Sequence, residues 1–332
     1  MRLTREERDM LAGAEGPAVQ KAMEMVVALA KVYEAEDLVP VASAQIAGVS
    51  YKNLGEAGLQ FLQDWAAQGA RVRIPAFMNP AGMDLERWRT MGISPQFANQ
   101  QQRVVEALTS MGVALTCTCT PYLVGGVPRA GQHLAWSESS AVSYANSVLG
   151  ARSNREGGPS ALAAAITGRT AAYGLHLREN RVPTHIVEVR CPMHSEADYG
   201  ALGYLVGQQV GDGVPYFRFQ RPDEPHGPSQ EALMALGAAM GASGAVALYH
   251  IEGVTPEAQS LPQVEAQSLP VVEVQSLPQV ETQNAASTKM MPLIIIHDLT
   301  DGYAALNSPL DEIDFVSLGC PHSPLADIER VA

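Results

Sequence analysis

The chain has 332 residues, a formal net charge of −13, and few aromatic residues (6%) beside its 29 glycines. That acidity, with no basic tract to offset it, argues against nucleic acid or an anionic membrane as a partner. No apolar run approaches the roughly 20 residues of a membrane helix. The charged start, Met-Arg-Leu-Thr-Arg-Glu-Glu-Arg-Asp, does not read as a secretion signal, so a cytoplasmic protein is expected. The length exceeds what one core usually fills and favours two lobes.

In chain order, Thr4 followed by Glu7 reads as a capping box that opens a first helix. Val19, Met23, Val26, Val27 and Ala30 recur at helical spacing, the pattern of an amphipathic helix covering a sheet. Residues 38–44 read as a strand, followed by a loop with Gly48, Val49 and Ser50. Residues 54–68 read as a helix closed by Gly69. A short strand over 71–75 precedes Asn79-Pro80, a pair that favours an extended or turn conformation, and Asp84 reads as a cap. A helix over 95–111 leads to a strand at 113–115. Helical pattern resumes at 161, and later strands are expected at 184–189, 214–219, 245–250, 292–298 and 313–318. Helices are expected at 199–210, 229–242 and 301–306. This alternation is that of an α/β protein. Three tandem octapeptides beginning at Glu257, Glu265 and Glu273 carry a proline each, and a decayed copy follows from Glu281. Proline at that period forbids a helix, and each copy buries little, so 256–290 is expected to be a flexible loop insert. The expected division is 1–255 as the main region of two lobes, 256–290 as the insert, and 291–332 as the start of a further α/β lobe.

The densest polar stretch covers 116–160. A buried strand feeding such a stretch delivers side chains to a site at its C-terminal edge. Glu138, between serines, can bind a substrate hydroxyl or shuttle a proton, and it can equally cap a helix starting near Ser139. Arg152 and Arg155, close to a Gly-Gly-Pro turn, suit a carboxylate or phosphate, with a surface ion pair between Arg155 and Glu156 as the alternative. Cys117 and Cys119 share a face if the strand stays extended. With Cys191 and Cys320 they make a set of four whose spacing matches no zinc ribbon, while thiolates from separate loops suit an iron–sulfur cluster. His133 reads as structural; Arg169 and His176 are weaker site candidates.

Cys119-Thr-Pro-Tyr122, Trp136-Ser-Glu-Ser-Ser140 and Gly150-Ala-Arg-Ser-Asn-Arg-Glu-Gly-Gly-Pro-Ser160 closely resemble the catalytic large subunit of aconitase X. That family includes archaeal phosphomevalonate dehydratases and bacterial 3-hydroxyproline dehydratases, and the resemblance runs from residue 3 to 332 apart from the insert. It implies aconitase-like three-layer α/β/α lobes and a hydro-lyase acting on a small hydroxy acid, phosphorylated or not. It implies an iron–sulfur cluster, 4Fe-4S or 2Fe-2S, as Lewis acid, with Cys119 and Cys320 as ligands and the third cysteine ligand absent from this chain. Glu138 and Ser139 are then catalytic, and Gly48, Val49, Ser50, Asn79, Pro80 and Arg152 contact the substrate. A small swivelling-domain subunit is the implied partner. The family's large subunit continues for another domain, with the third cluster cysteine and a substrate lysine, so the alternative is an inactive truncated scaffold that binds the small subunit or ligand without turnover.

Overall fold

The computed structural model describes residues 1–220, 227–260 and 291–308, with the single positions 312, 314 and 329. Most of the octapeptide insert, the strand expected at 313–318 and Cys320 lie outside the described residues.

Thr4 and Glu7 form the expected capping box at the start of α1 (Arg5–Leu11). Helix α2 (Pro17–Val32) buries Met23, Val26, Val27 and Ala30, the stripe its periodicity marks. The strand expected at 38–44 is two strands in two sheets, β1 (Leu38–Pro40) and β2 (Ala44–Ile46). Proline 40 has no amide to extend a ladder. The next two amides turn to different partners, Val41 to the carbonyl of Gly168 and Ala42 to that of His133. Helix α3 (Tyr51–Ala67) starts at the N-cap Ser50.

The strand expected at 71–75 sits further on, as β3 (Ala76–Met78), and α4 (Pro95–Ser110) follows. Between them Asp84 accepts from the amides of Glu86 and Arg87, closing a turn. Residues 113–115 form no full strand: a single bridge joins Ala114 to Phe77. Leu115 is exposed, and Cys117 takes a left-handed backbone (φ 44°), which ends the extended run. Cys117 and Cys119 therefore do not share a strand face.

Next come β4 (Ala135–Trp136), α5 (Ser139–Ser147), α6 (Gly158–Thr167) and β5 (Arg169–Ala171). Then follow β6 (His185–Val189), α7 (Glu196–Val210), β7 (Pro215–Phe219) and α8 (Gln230–Gly244). The strand expected at 245–250 shrinks to β8 (His250–Ile251), because α8 runs on to Gly244 and ends at Ala245 in a left-handed cap. Last are β9 (Leu293–Ile296) and α9 (Thr300–Leu306).

Two parallel sheets result, β3-β2-β4 and β8-β7-β6-β9, with an antiparallel pair β1-β5 beside them. Parallel sheets need covering helices, and each lobe supplies its own. One core joins α2, α3, α4 and α6 through residues such as Met23, Trp65, Leu108 and Ala163. The other joins α5, α7 and α8 through Val142, Leu202, Phe217 and Met240. The short strand β4 sits at the seam: Ala135 belongs to the first core and its neighbour Trp136 to the second, since successive strand residues point to opposite faces. Among the described residues no helix is long and apolar enough to cross a membrane.

Candidate active site

The parallel strands β2, β3 and β4 end side by side, and the loops after them face one another. This is the edge where open parallel sheets place ligands. The loop after β2 carries Gly48, Val49 and Ser50; the loop after β3 carries Asn79 and Pro80; the residues after β4 are Ser137, Glu138 and Ser139. The bridge at Ala114 leads a fourth segment, with Cys119, to the same edge.

Glu138 is the centre of this edge. It occupies the N-cap position of α5, yet its side chain makes no capping bond, so the helix-cap reading fails. Its Oε2 accepts from Asn79 Nδ2 at 3.0 Å, and the hydroxyls of Ser139 and Ser140 reach its Oε1 at 3.5 Å, the outer limit of a hydrogen bond. Asn79 is 6% exposed, and its Oδ1 is buried with no protein partner. A buried carbonyl oxygen left open is costly unless something donates to it. A hydroxyl arriving beside Glu138 is such a donor.

Two buried glutamines hold this arrangement, and the sequence reading passed over both. Gln45, fully buried on β2, accepts from the Glu138 amide and donates to the Cys119 carbonyl, each at 3.4 Å. Gln101, fully buried on α4, reaches the loops after β2 and β3. The available signal was a carboxamide on an apolar stripe: Gln101 shares the inner face of α4 with Ala98, Val105 and Leu108. The first turn of α6 also abuts this edge. A Cβ on Gly158 would lie 2.5 Å from the carbonyl oxygen of Ala47, so a glycine is needed for the helix to approach that closely.

Other expected site residues lie elsewhere. Arg152 donates to the backbone carbonyl of His176 at 3.2 Å, and its Nε is buried without a partner; no contact among the described residues joins it to Glu138. Arg155 lines a cleft of about 550 Å³ with Tyr173, Asn180 and Asp212. Glu156 is held by the hydroxyls of Ser160 and Thr170 rather than by Arg155. Asn154 supports the turn at 173–175, and Arg169 pairs with Glu6 and Glu7. Cys119 is buried at the site edge, a placement that suits a soft metal ligand. No group of three or more His, Cys, Asp or Glu side chains among the described residues is arranged to hold a metal ion. These residues alone do not build a cluster site, and Cys320 is outside them.

His133 and His176 share a 2.9 Å Nδ1···Nδ1 hydrogen bond, one donating and one accepting. Burial, then the charges of His133, Arg181 and Arg152, push the His176 imidazole down to about 3. The unfolded state therefore binds a proton near pH 6.5 that the folded state refuses until about pH 3. Stability is full above pH 6.5 and falls through that window, by about 1.4 kcal/mol per pH unit for one proton. Urea unfolding at pH 7, 6 and 5 should show this slope, and His176→Gln should make it shallower; equal slopes would contradict it.

Residues 1–179 match the family described as the aconitase X first domain, and residues 183–287 match the aconitase X second domain. The phosphomevalonate dehydratase large subunit of Methanothermobacter thermautotrophicus is 51% identical over 330 residues, spanning 99% of this chain and 76% of that protein. The cis-3-hydroxy-L-proline dehydratase of Pseudomonas aeruginosa is 33% identical over 333 residues, spanning 100% of this chain and 53% of that protein. The crystal structure of Thermococcus kodakaraensis aconitase X in its holo form superposes with a TM-score of 0.80 at 43% identity, covering 100% of this chain and 76% of the other.

Proposed function

Because this chain belongs to the aconitase X family, we propose that it is a hydro-lyase that removes water from a small phosphorylated hydroxy acid of the phosphomevalonate type. The observation that carries this reading is the Asn79–Glu138 pair at the open edge of the parallel sheet, with Asn79 Oδ1 buried and unbonded. Dehydration breaks a C–O bond on one carbon and a C–H bond on its neighbour. The Glu138 carboxylate takes or passes a proton at its Oε1 or Oε2. Asn79 Oδ1 accepts from a substrate hydroxyl, and Ser50 and Ser139 offer hydroxyls that orient the acid. Gly48 and Val49 supply backbone, and Pro80 shapes the loop after Asn79. Arg152, whose guanidinium donates to the His176 carbonyl, is left outside the proposed substrate contacts.

An iron–sulfur cluster bound through Cys119 and Cys320 would supply a Lewis acid for the leaving hydroxyl. A small swivelling-domain subunit is proposed as partner, in line with the name "large subunit" carried by the relatives. The test is to reconstitute the chain anaerobically with iron and sulfide, add the small subunit, and follow loss of water by mass spectrometry. 5-Phosphomevalonate and cis-3-hydroxy-L-proline are the two substrates to offer. Turnover of 5-phosphomevalonate is expected. Bound iron and bound subunit with no turnover of either acid would overturn the reading in favour of a scaffold.

A further inference from the structure

Gln101 is a polar side chain on an otherwise largely apolar buried face of α4. It projects from α4 into the first core and is fully buried. Its Oε1 accepts two backbone amides, from Tyr51 at 2.9 Å and from Gly82 at 3.1 Å, and its Nε2 donates to the carbonyl of Val49 at 3.0 Å. One carboxamide thus ties the loop after β2 to the loop after β3. These loops lie beyond the ends of their strands, where no ladder pairs their backbone. Unpaired amides and carbonyls at such burial are costly, so the carboxamide sets where both loops rest.

The fit is tight. A Cβ on Gly82 would lie 2.8 Å from Gln101 Oε1 and 2.3 Å from Ser50 Oγ. The two loops therefore touch at Gly82, which requires glycine for this approach, and the Ser50 hydroxyl rests against the backbone that follows Asn79 and Pro80. We propose that Gln101 is a positioning residue that sets the spacing between Ser50 and Asn79, and thereby the affinity and alignment of the hydroxy acid held between them. This rests on the dehydratase reading above. Gln101 touches no substrate; it acts through Val49, Tyr51 and Gly82. The carboxamide is required because the position needs an acceptor for two N–H groups and a donor for one carbonyl, and an ionised carboxylate lacks the donor.

The reconstituted chain with its small subunit is the protein to test, as wild type, Gln101→Met, Gln101→Glu and Gly82→Ala. Binding of 5-phosphomevalonate is read by calorimetry, turnover as separate kcat and KM, and loop tethering by hydrogen exchange over residues 47–54 and 79–84. Gln101→Met should exchange faster in both segments at once, bind more weakly, and lose up to about 100-fold in kcat/KM, the scale of a misplacement near 1 Å. Gly82→Ala, whose Cβ would press on both Ser50 Oγ and Gln101 Oε1 while keeping the carboxamide itself, should weaken binding in the same direction and keeps the test alive if Gln101→Met does not fold. Gln101→Glu should approach wild-type affinity as pH falls, since the protonated acid regains a donor for Val49. A role confined to stability would give none of this pH dependence. Faster exchange with unchanged dissociation constant, kcat and KM would overturn the proposal. Wild type that neither binds nor converts 5-phosphomevalonate, while Gln101→Met still unlinks the two segments, would overturn the dehydratase reading and with it the proposed effect on affinity, leaving the tether as a structural fact.

Discussion

Glu138→Gln is expected to lower kcat for the dehydration by about 10²–10⁴-fold, the range that a positioned acid–base group contributes. The substitution keeps the side chain's shape and an oxygen to accept from Asn79 Nδ2, so the contact at 3.0 Å survives. What it removes is the ability to take a proton. Since Glu138 makes no capping bond to α5, the helix loses only the small attraction between that charge and its N-terminal dipole, and the unfolding midpoint should stay near that of the wild type. KM should change little. A kcat within threefold of wild type would remove Glu138 from the chemistry.

Arg181→Met is expected to be the most damaging change to the fold, at about 3–5 kcal/mol, the cost of breaking a buried ion pair from one side. Arg181 is 3% exposed, and its guanidinium serves four separate segments. Its Nε donates to both carboxylate oxygens of Glu257, at 3.0 and 2.8 Å. Its Nη1 donates to Asn146 Oδ1 and the Leu175 carbonyl, and its Nη2 to the carbonyls of Asn146 and Ala151. The Arg181 carbonyl also meets His250 Nε2 at 2.8 Å. Burial pulls the guanidinium's affinity for its proton down, and Glu257 opposes that. Methionine fills the volume but leaves three backbone carbonyls, the Asn146 side-chain oxygen and a carboxylate without this donor. Urea midpoints should fall with the slope of the transition unchanged. Adding Glu257→Gln should recover part of the loss, because the two residues act as a pair. An unaltered midpoint in Arg181→Met would show that the segments are held by packing alone.

Local signals in the sequence carried the helices well. The capping box at Thr4 and Glu7 and the stripe of α2 are local, and local structure follows from them. Short strands were harder, because which strand pairs with which is a long-range fact. Residues 38–44 read as one strand, yet Pro40 and the diverging amides of Val41 and Ala42 pass the chain between two sheets. At 113–115 the apolar run was real, but the positive φ of Cys117 ended it after one bridge.

The site was legible in part. Glu138 and Asn79 were each named from motifs, and the structure brings them to 3.0 Å across 59 residues of sequence. Ser50 proved to be the N-cap of α3, with the rest of its loop pinned from α4. Arg152 was named from the motif at 150–160 and its Gly-Gly-Pro turn; its guanidinium donates to the carbonyl of His176. Gln45 and Gln101 left no motif, because their role is to satisfy backbone groups of loops far away in the chain.

The most direct test is a structure of the reconstituted chain with its small subunit and 5-phosphomevalonate bound. The substrate should lie at the ends of β2, β3 and β4, with a hydroxyl about 2.6–3.2 Å from the Glu138 carboxylate, the reach of proton transfer, and a second contact to Asn79 Oδ1. Substrate bound in the cleft beside Arg155 and Tyr173, or making no contact with Glu138, would contradict the account.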